Sequence, residues 1–134
     1  MPKFESKQFQ VNEAWVVFRI SVHPVRTEAD GDFHVLGLMD AASGYMLGTE
    51  FVPSAASDLS QFQAKHILKN GYSQSSTYPA LLIIHKELEA KHLEKEAKSH
   101  GIELSHASMF QLWPIIGEAV EGFRQQIVGG GDKV

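Results

Sequence analysis

From Trp15 to Val22 the chain is almost continuously apolar, β-branched or aromatic, and this predicts a strand that His23-Pro24 ends. A polar loop follows over Thr27 to Asp32, with a turn signal at Asp30-Gly31. Phe33 to Met39 predicts a second strand and Tyr45 to Val52 a third, joined by the short loop Asp40 to Gly44. Gly48 marks a possible bulge, and Pro53 closes the third strand. The result is an antiparallel meander.

The period then changes. Ser57 or Asp58 is placed to cap a helix with Leu59, Phe62, His66 or Ile67, and Leu68 on its apolar face, ended by Asn70-Gly71. Ser73 to Thr77 reads as a polar connector. Ala80 to Ile84, after Pro79, is apolar throughout and predicts a strand buried on both faces, parallel to a neighbour. A charged helix is predicted over Lys86 to His100 with Gly101 as its stop, then a short strand at Ile102 to Leu104. The last helix is predicted from Pro114 to Val128, with Ile116, Val120, Phe123 and Ile127 on one face. The fold class expected is α/β (α+β with a mixed sheet), in the order β-β-β-α-β-α-β-α, with five strands and helices on the sheet faces. The expected organisation is an extension over 1–13, one domain over 14–128 and a flexible glycine-rich tail over 129–134. Phe4 and Phe9 are expected to clip the extension onto the domain.

Composition narrows the function classes. At 134 residues with 43% hydrophobic content, the chain can build one core without staples. It has no cysteine, which removes disulfides, thiolate metal sites and cysteine nucleophiles. No apolar run is long enough for a membrane helix, and the first ten residues lack an apolar signal core, so a cytoplasmic location is expected. Net charge is −4 and the lysines are interleaved with glutamates, which argues against nucleic acid as the partner.

Several stretches carry a resemblance. Trp15 opens the first strand; Asp40-Ala41-Ala42-Ser43 is followed by Leu47-Gly48; Pro79 precedes the apolar strand, and Gly101-Ile102 lies beyond, with Ser105 and Ser108 after it. With the element order, these make the chain similar to the ribonuclease H-like catalytic core of retroviral-type integrases and transposases, over residues 15–124. The resemblance implies three carboxylates that hold two divalent metals. The first position falls on Phe18 and the second on His85. The third falls on Glu121, with 35 residues between it and His85. One carboxylate of three remains. Asp40 matches the family's hairpin aspartate and not a catalytic one. At 100° per residue, Glu121 and Glu118 fall away from the apolar face of the last helix, toward solvent.

The remaining candidate chemistry is a stripe of His85, Glu89, His92, Glu96 and His100 at spacings of 4, 3, 4 and 4. On one helix these could ligate Zn²⁺, Ni²⁺ or Fe²⁺, although the plainer reading is a solvated face of Glu–His pairs. The metal candidates are therefore His85, Glu121, Glu89 and His92. Ser73 to Thr77 lacks a nucleophile elbow, and the 129–131 glycines have no following helix to present to a phosphate. Met109, Phe110, Leu112 and Trp113 are expected to pack in the core, or alternatively to form a contact patch. The expected function is a non-catalytic binding or assembly module on this scaffold, without a cofactor, that engages a protein partner or itself. The alternative is a metal-dependent hydrolase using His85 and Glu121.

Overall fold

A computed structural model describes residues 3–21, 24–27, 31–54 and 59–132, with side chains described up to residue 125. The elements run β1 (Ala14–Arg19), β2 (Val25–Thr27), β3 (Gly31–Asp40), β4 (Met46–Pro53), α1 (Gln61–Ser75), β5 (Leu81–His85), α2 (Lys91–Ser99), β6 (Glu103–Ala107) and α3 (Met109–Asp132). The sheet has six strands in the order β2-β3-β1-β5-β6, with β4 on the other side of β3. The expected five become six because β2, three residues long after Pro24, pairs with the start of β3.

β1 is the centre. It pairs antiparallel with β3 and parallel with β5, which pairs parallel with β6. The chain thus builds outward on one side of β1 and then on the other. The run Ala14 to Phe18 is fully buried, as expected of a strand covered on both faces. Trp15 and Val17 face the layer that contains Ala64, Ile67 and Leu93; Val16 and Phe18 face Leu112, Ile116 and Val120 of α3. Two cores therefore sandwich one sheet. The bulge expected near Gly48 is present, since the β3–β4 register shifts between Leu38 and Met39.

The helix limits differ from expectation, each for a physical reason. Ser57 and Asp58 lie outside the described residues; the cap of α1 is Ser60, whose Oγ accepts from Gln63 N while Gln63 Oε1 accepts from Ser60 N. The helix then continues through Gly71 to Ser75. A β-carbon on Gly71 would sit 2.7 Å from Trp15 Cζ3, so this glycine lets the helix close onto the sheet and is not a stop. α2 starts at Lys91, because residues 86–90 turn away from β5. α3 starts at Met109, five residues before Pro114, behind a second reciprocal cap between Ser108 and Gln111. It runs to Asp132, beyond the expected limit at Val128. The N-terminal segment is held to α3 by Phe4 N donating to the Gln111 carbonyl, and Phe4 and Phe9 pack on the α3-side core. Among the described residues no helix is long and apolar enough to cross a membrane.

Candidate functional site

The parallel register of β1 and β5 ends on the pair Val17–Ile84, so Phe18 and His85 are the next residues on neighbouring strands. Glu121, on α3, lines the same cleft as His85 at the carboxyl ends of these strands. The cleft measures about 400 Å³. The three positions marked by the family resemblance are therefore brought to one place. Their chemistry is not that of a two-metal site.

Phe18 is fully buried and packs with Met39, Leu112, Ile116 and Val120. It pairs across the sheet with Gly37, where a β-carbon would meet Met46 Cε at 2.8 Å and the Phe18 ring at 3.4 Å. A phenyl group offers no ligand to Mg²⁺ or Mn²⁺, and His85 supplies one nitrogen where hard cations prefer oxygen. Among the described residues no group of three His, Asp or Glu side chains is gathered that could hold a metal ion. The residues present do not fit a two-metal centre.

His85 is only 5% exposed. Burial holds its imidazole below the usual range; Glu87 opposes this, while Arg19 and Lys86 add to it. The neutral ring thus predominates at neutral pH. Its Nε2 lies 3.9 Å from Glu87 Oε2, too far for a hydrogen bond, and its Nδ1 is buried with no partner. Arg19, the last residue of β1, lines the cleft as well, and its Nε is also buried without a partner.

The α3 side of the cleft carries Met109, Trp113, Glu121 and Arg124. Trp113 is 44% exposed, and its indole lies against the helix over Gly117, where a β-carbon would meet Cε2 at 2.9 Å. Of the expected apolar cluster, Leu112 enters the core and Phe110 is exposed beneath Lys3, whose Nζ is 4.6 Å from the ring. Glu121 is half-buried on the flank of α3, a correction to the expectation that it faces solvent. The helical angle was measured from the core, whereas the cleft opens at the edge of the core.

The histidine stripe does not form, because its first two members are not helical. His85 ends β5 and Glu89 is exposed in the turn before α2. His92 is exposed on α2, and neither it nor Glu89 lines the cleft. The other two make separate contacts: Glu96 pairs with His100 at 3.3 Å, and His100 stacks on Tyr78. Asp40 is structural. Its carboxylate accepts from Asn12 N, Ser43 N and Ser43 Oγ, closing the β3–β4 loop. The Ser73 to Thr77 stretch is helical as far as Ser75 and ends at Ser76, a left-handed residue. Sequence reasoning passed over Arg19 as a site residue, although a lone arginine at the end of a buried strand is a usable signal.

No protein-family model matches the chain, and no curated protein matches it by sequence. Solved structures do. The catalytic core domain of BIV integrase superposes with a TM-score of 0.57 at 12% identity, covering 92% of this chain and 74% of that one. A chain of the simian T-cell lymphotropic virus intasome, solved in complex with PP2A regulatory subunit B56 gamma, gives 0.56 at 10% identity over 84% of this chain. This chain spans 37% of that one. The fold is the ribonuclease H-like fold of the integrase catalytic cores.

Proposed function

We propose that the chain is a non-catalytic binding module on an integrase-core scaffold, in which the cleft between β1, β5 and α3 serves recognition and not phosphoryl transfer. The observation that carries this reading is Phe18, which is wholly inside the core at the first carboxylate position and matched to Gly37 across the sheet. A side chain so placed contributes stability, not metal ligation. The module acts through contact with a ligand or with a protein partner, a second copy of the chain included.

The competing reading is a metal-dependent hydrolase that uses His85 and Glu121. It draws on the cleft that these two share. It lacks a third ligand among the described residues. Incubation with single-stranded and duplex oligonucleotides in Mg²⁺ or Mn²⁺ separates the two. The binding-module reading expects cleavage no faster than that of a Glu121→Gln variant prepared alongside. Metal-dependent cleavage by the wild-type chain that this variant loses would overturn it.

A further inference from the structure

Met109, Trp113, Val120, Glu121 and Arg124 line the cleft and, with Gly117, fall on one flank of α3. β5 turns toward the same flank: Ile83 packs in the α3-side core, and His85, two residues on, shares its face. The Trp113 indole lies over Gly117, one helical turn short of Glu121, and the residue keeps 44% of its surface exposed. His85 is more than nine-tenths buried. Its Nδ1 is enclosed and has no partner, whereas Nε2 is not enclosed and makes no hydrogen bond either. A ring so buried, with an open and unspent nitrogen at a cleft, calls for an explanation. We propose that this cleft binds a small, uncharged planar heterocycle by a lactam edge, with the ring on Trp113, its carbonyl on His85 Nε2 and its N–H on Glu121.

A neutral imidazole carries one proton, on one nitrogen or the other. A buried N–H without an acceptor is the rarer kind of orphan, so the proton belongs on Nε2 and Nδ1 keeps its lone pair. The Glu87 carboxylate, 3.9 Å from Nε2, favours the same tautomer. His85 therefore offers the cleft one N–H donor. Glu121, half-buried on α3, offers it acceptors only. A donor and a carboxylate in one cleft complement a C=O beside an N–H, and a flat ring holds those two groups on one edge. Trp113 and Met109 supply the apolar wall, where such a ring stacks on the open face of the indole. The charges on the lining balance, Glu87 and Glu121 against Arg19 and Arg124, which favours an uncharged ligand over an anion. A volume of about 400 Å³ holds one ring or two fused rings.

This inference rests on the non-catalytic reading, and its test is run in EDTA so that the two can fail separately. The chain is titrated by calorimetry with 2-quinolone, 2-pyridone and N-methyl-2-pyridone, which keeps the carbonyl and lacks the N–H. Saturable binding of the two lactams is the expected result, with 2-quinolone the tighter for its larger stacked area. N-methylation weakens binding roughly tenfold, as loss of a hydrogen bond to a charged group does. Glu121→Leu, checked for fold by circular dichroism, weakens 2-pyridone to the level of its N-methyl form. Trp113→Leu removes the advantage of 2-quinolone over 2-pyridone. His85→Phe weakens all three probes, since each uses its carbonyl; should that variant fail to fold, Glu121→Leu at its half-buried flank position decides the matter. Uridine and its 5′-monophosphate separate a free heterocycle from a nucleotide as the source of the lactam edge, and uridine is expected to bind at least as tightly. Tighter binding of the monophosphate overturns the uncharged ligand. No binding of either lactam to the folded wild-type chain at millimolar probe overturns the inference, as does equal binding of N-methyl-2-pyridone. Lactam binding that Glu121→Leu or Trp113→Leu leaves intact overturns it too. Failure here without metal-dependent cleavage leaves the binding-module reading standing, whereas cleavage removes that reading whatever the titration gives.

Discussion

Phe18 pairs with Gly37 across β1 and β3, and its ring comes within 3.4 Å of where a β-carbon on that glycine would lie. That is an ordinary contact distance, and the atom that a side chain at Gly37 would crowd is Met46 Cε, at 2.8 Å. Phe18 itself is fully buried, so the position that the family resemblance assigns to a carboxylate is part of the core. Phe18→Ala should therefore destabilise the chain by about 3–5 kcal/mol, the usual loss for a buried aromatic. Urea unfolding followed by circular dichroism measures it, and a loss below about 1 kcal/mol would show that the ring is not a packing element.

Two glycines within helices should respond in opposite senses to alanine. At Gly71 the new β-carbon meets the Trp15 ring and Leu38 Cδ2 at 2.7 and 2.8 Å, both in the buried core. Overpacking costs about 1–3 kcal/mol and outweighs the gain of up to about 1 kcal/mol in helix propensity. At Gly122 nothing lies within 4 Å of the new atom. Gly71→Ala should lower the melting temperature and Gly122→Ala should raise it. Thermal melts of the two variants beside the wild-type chain test both signs.

The two reciprocal caps are separable. Ser60→Ala and Ser108→Ala each remove the side-chain acceptor of a helix N-terminus, with an expected cost of about 1 kcal/mol apiece. The sites start different helices on opposite faces of the sheet, so the double variant should lose the sum, as chemical denaturation can show.

Stability should fall in mild acid. Burial, and secondarily Arg19, hold the His34 imidazole below its usual range, as burial and Arg19 also do for His85. In the unfolded chain both titrate near 6.5. Below that value the unfolded chain takes up protons that the folded chain resists, so stability is fully present above about pH 6.5 and is lost as pH falls toward the lowered folded values. His85→Gln should flatten the dependence of melting temperature on pH between about 7.5 and 5.5. An unchanged slope in that variant would mean that His85 is not the buried neutral ring described.

The strands were legible because their signal is local. Trp15 to Phe18 and Leu82 to Ile84 are apolar on both faces, and a strand covered on both sides has that pattern wherever it occurs. The order of elements, and with it the scaffold, followed from them. The helix limits depended on contacts that sequence does not display. Gly71 looks like a stop until Trp15 is seen beneath it, and Pro114 looks like a first-turn residue although Ser108-x-x-Gln111 is the stronger start signal. The spacing of His85, Glu89 and His92 fits a helix, but β5 claims His85 and a turn claims Glu89. Of the site, His85 and Glu121 could be named from the sequence because family spacing places them. Arg19 carried a usable signal as the lone arginine closing a buried strand, whereas the place of Trp113 against Gly117 on α3 comes only from the fold.

Calorimetric titration of the metal-stripped chain with Mn²⁺ at neutral pH tests most directly whether the cleft that His85 and Glu121 line holds a catalytic metal. With Phe18 in the core and one nitrogen at His85, no saturable micromolar binding is predicted. Stoichiometric micromolar binding of Mn²⁺ that Glu121→Gln abolishes would contradict the non-catalytic reading.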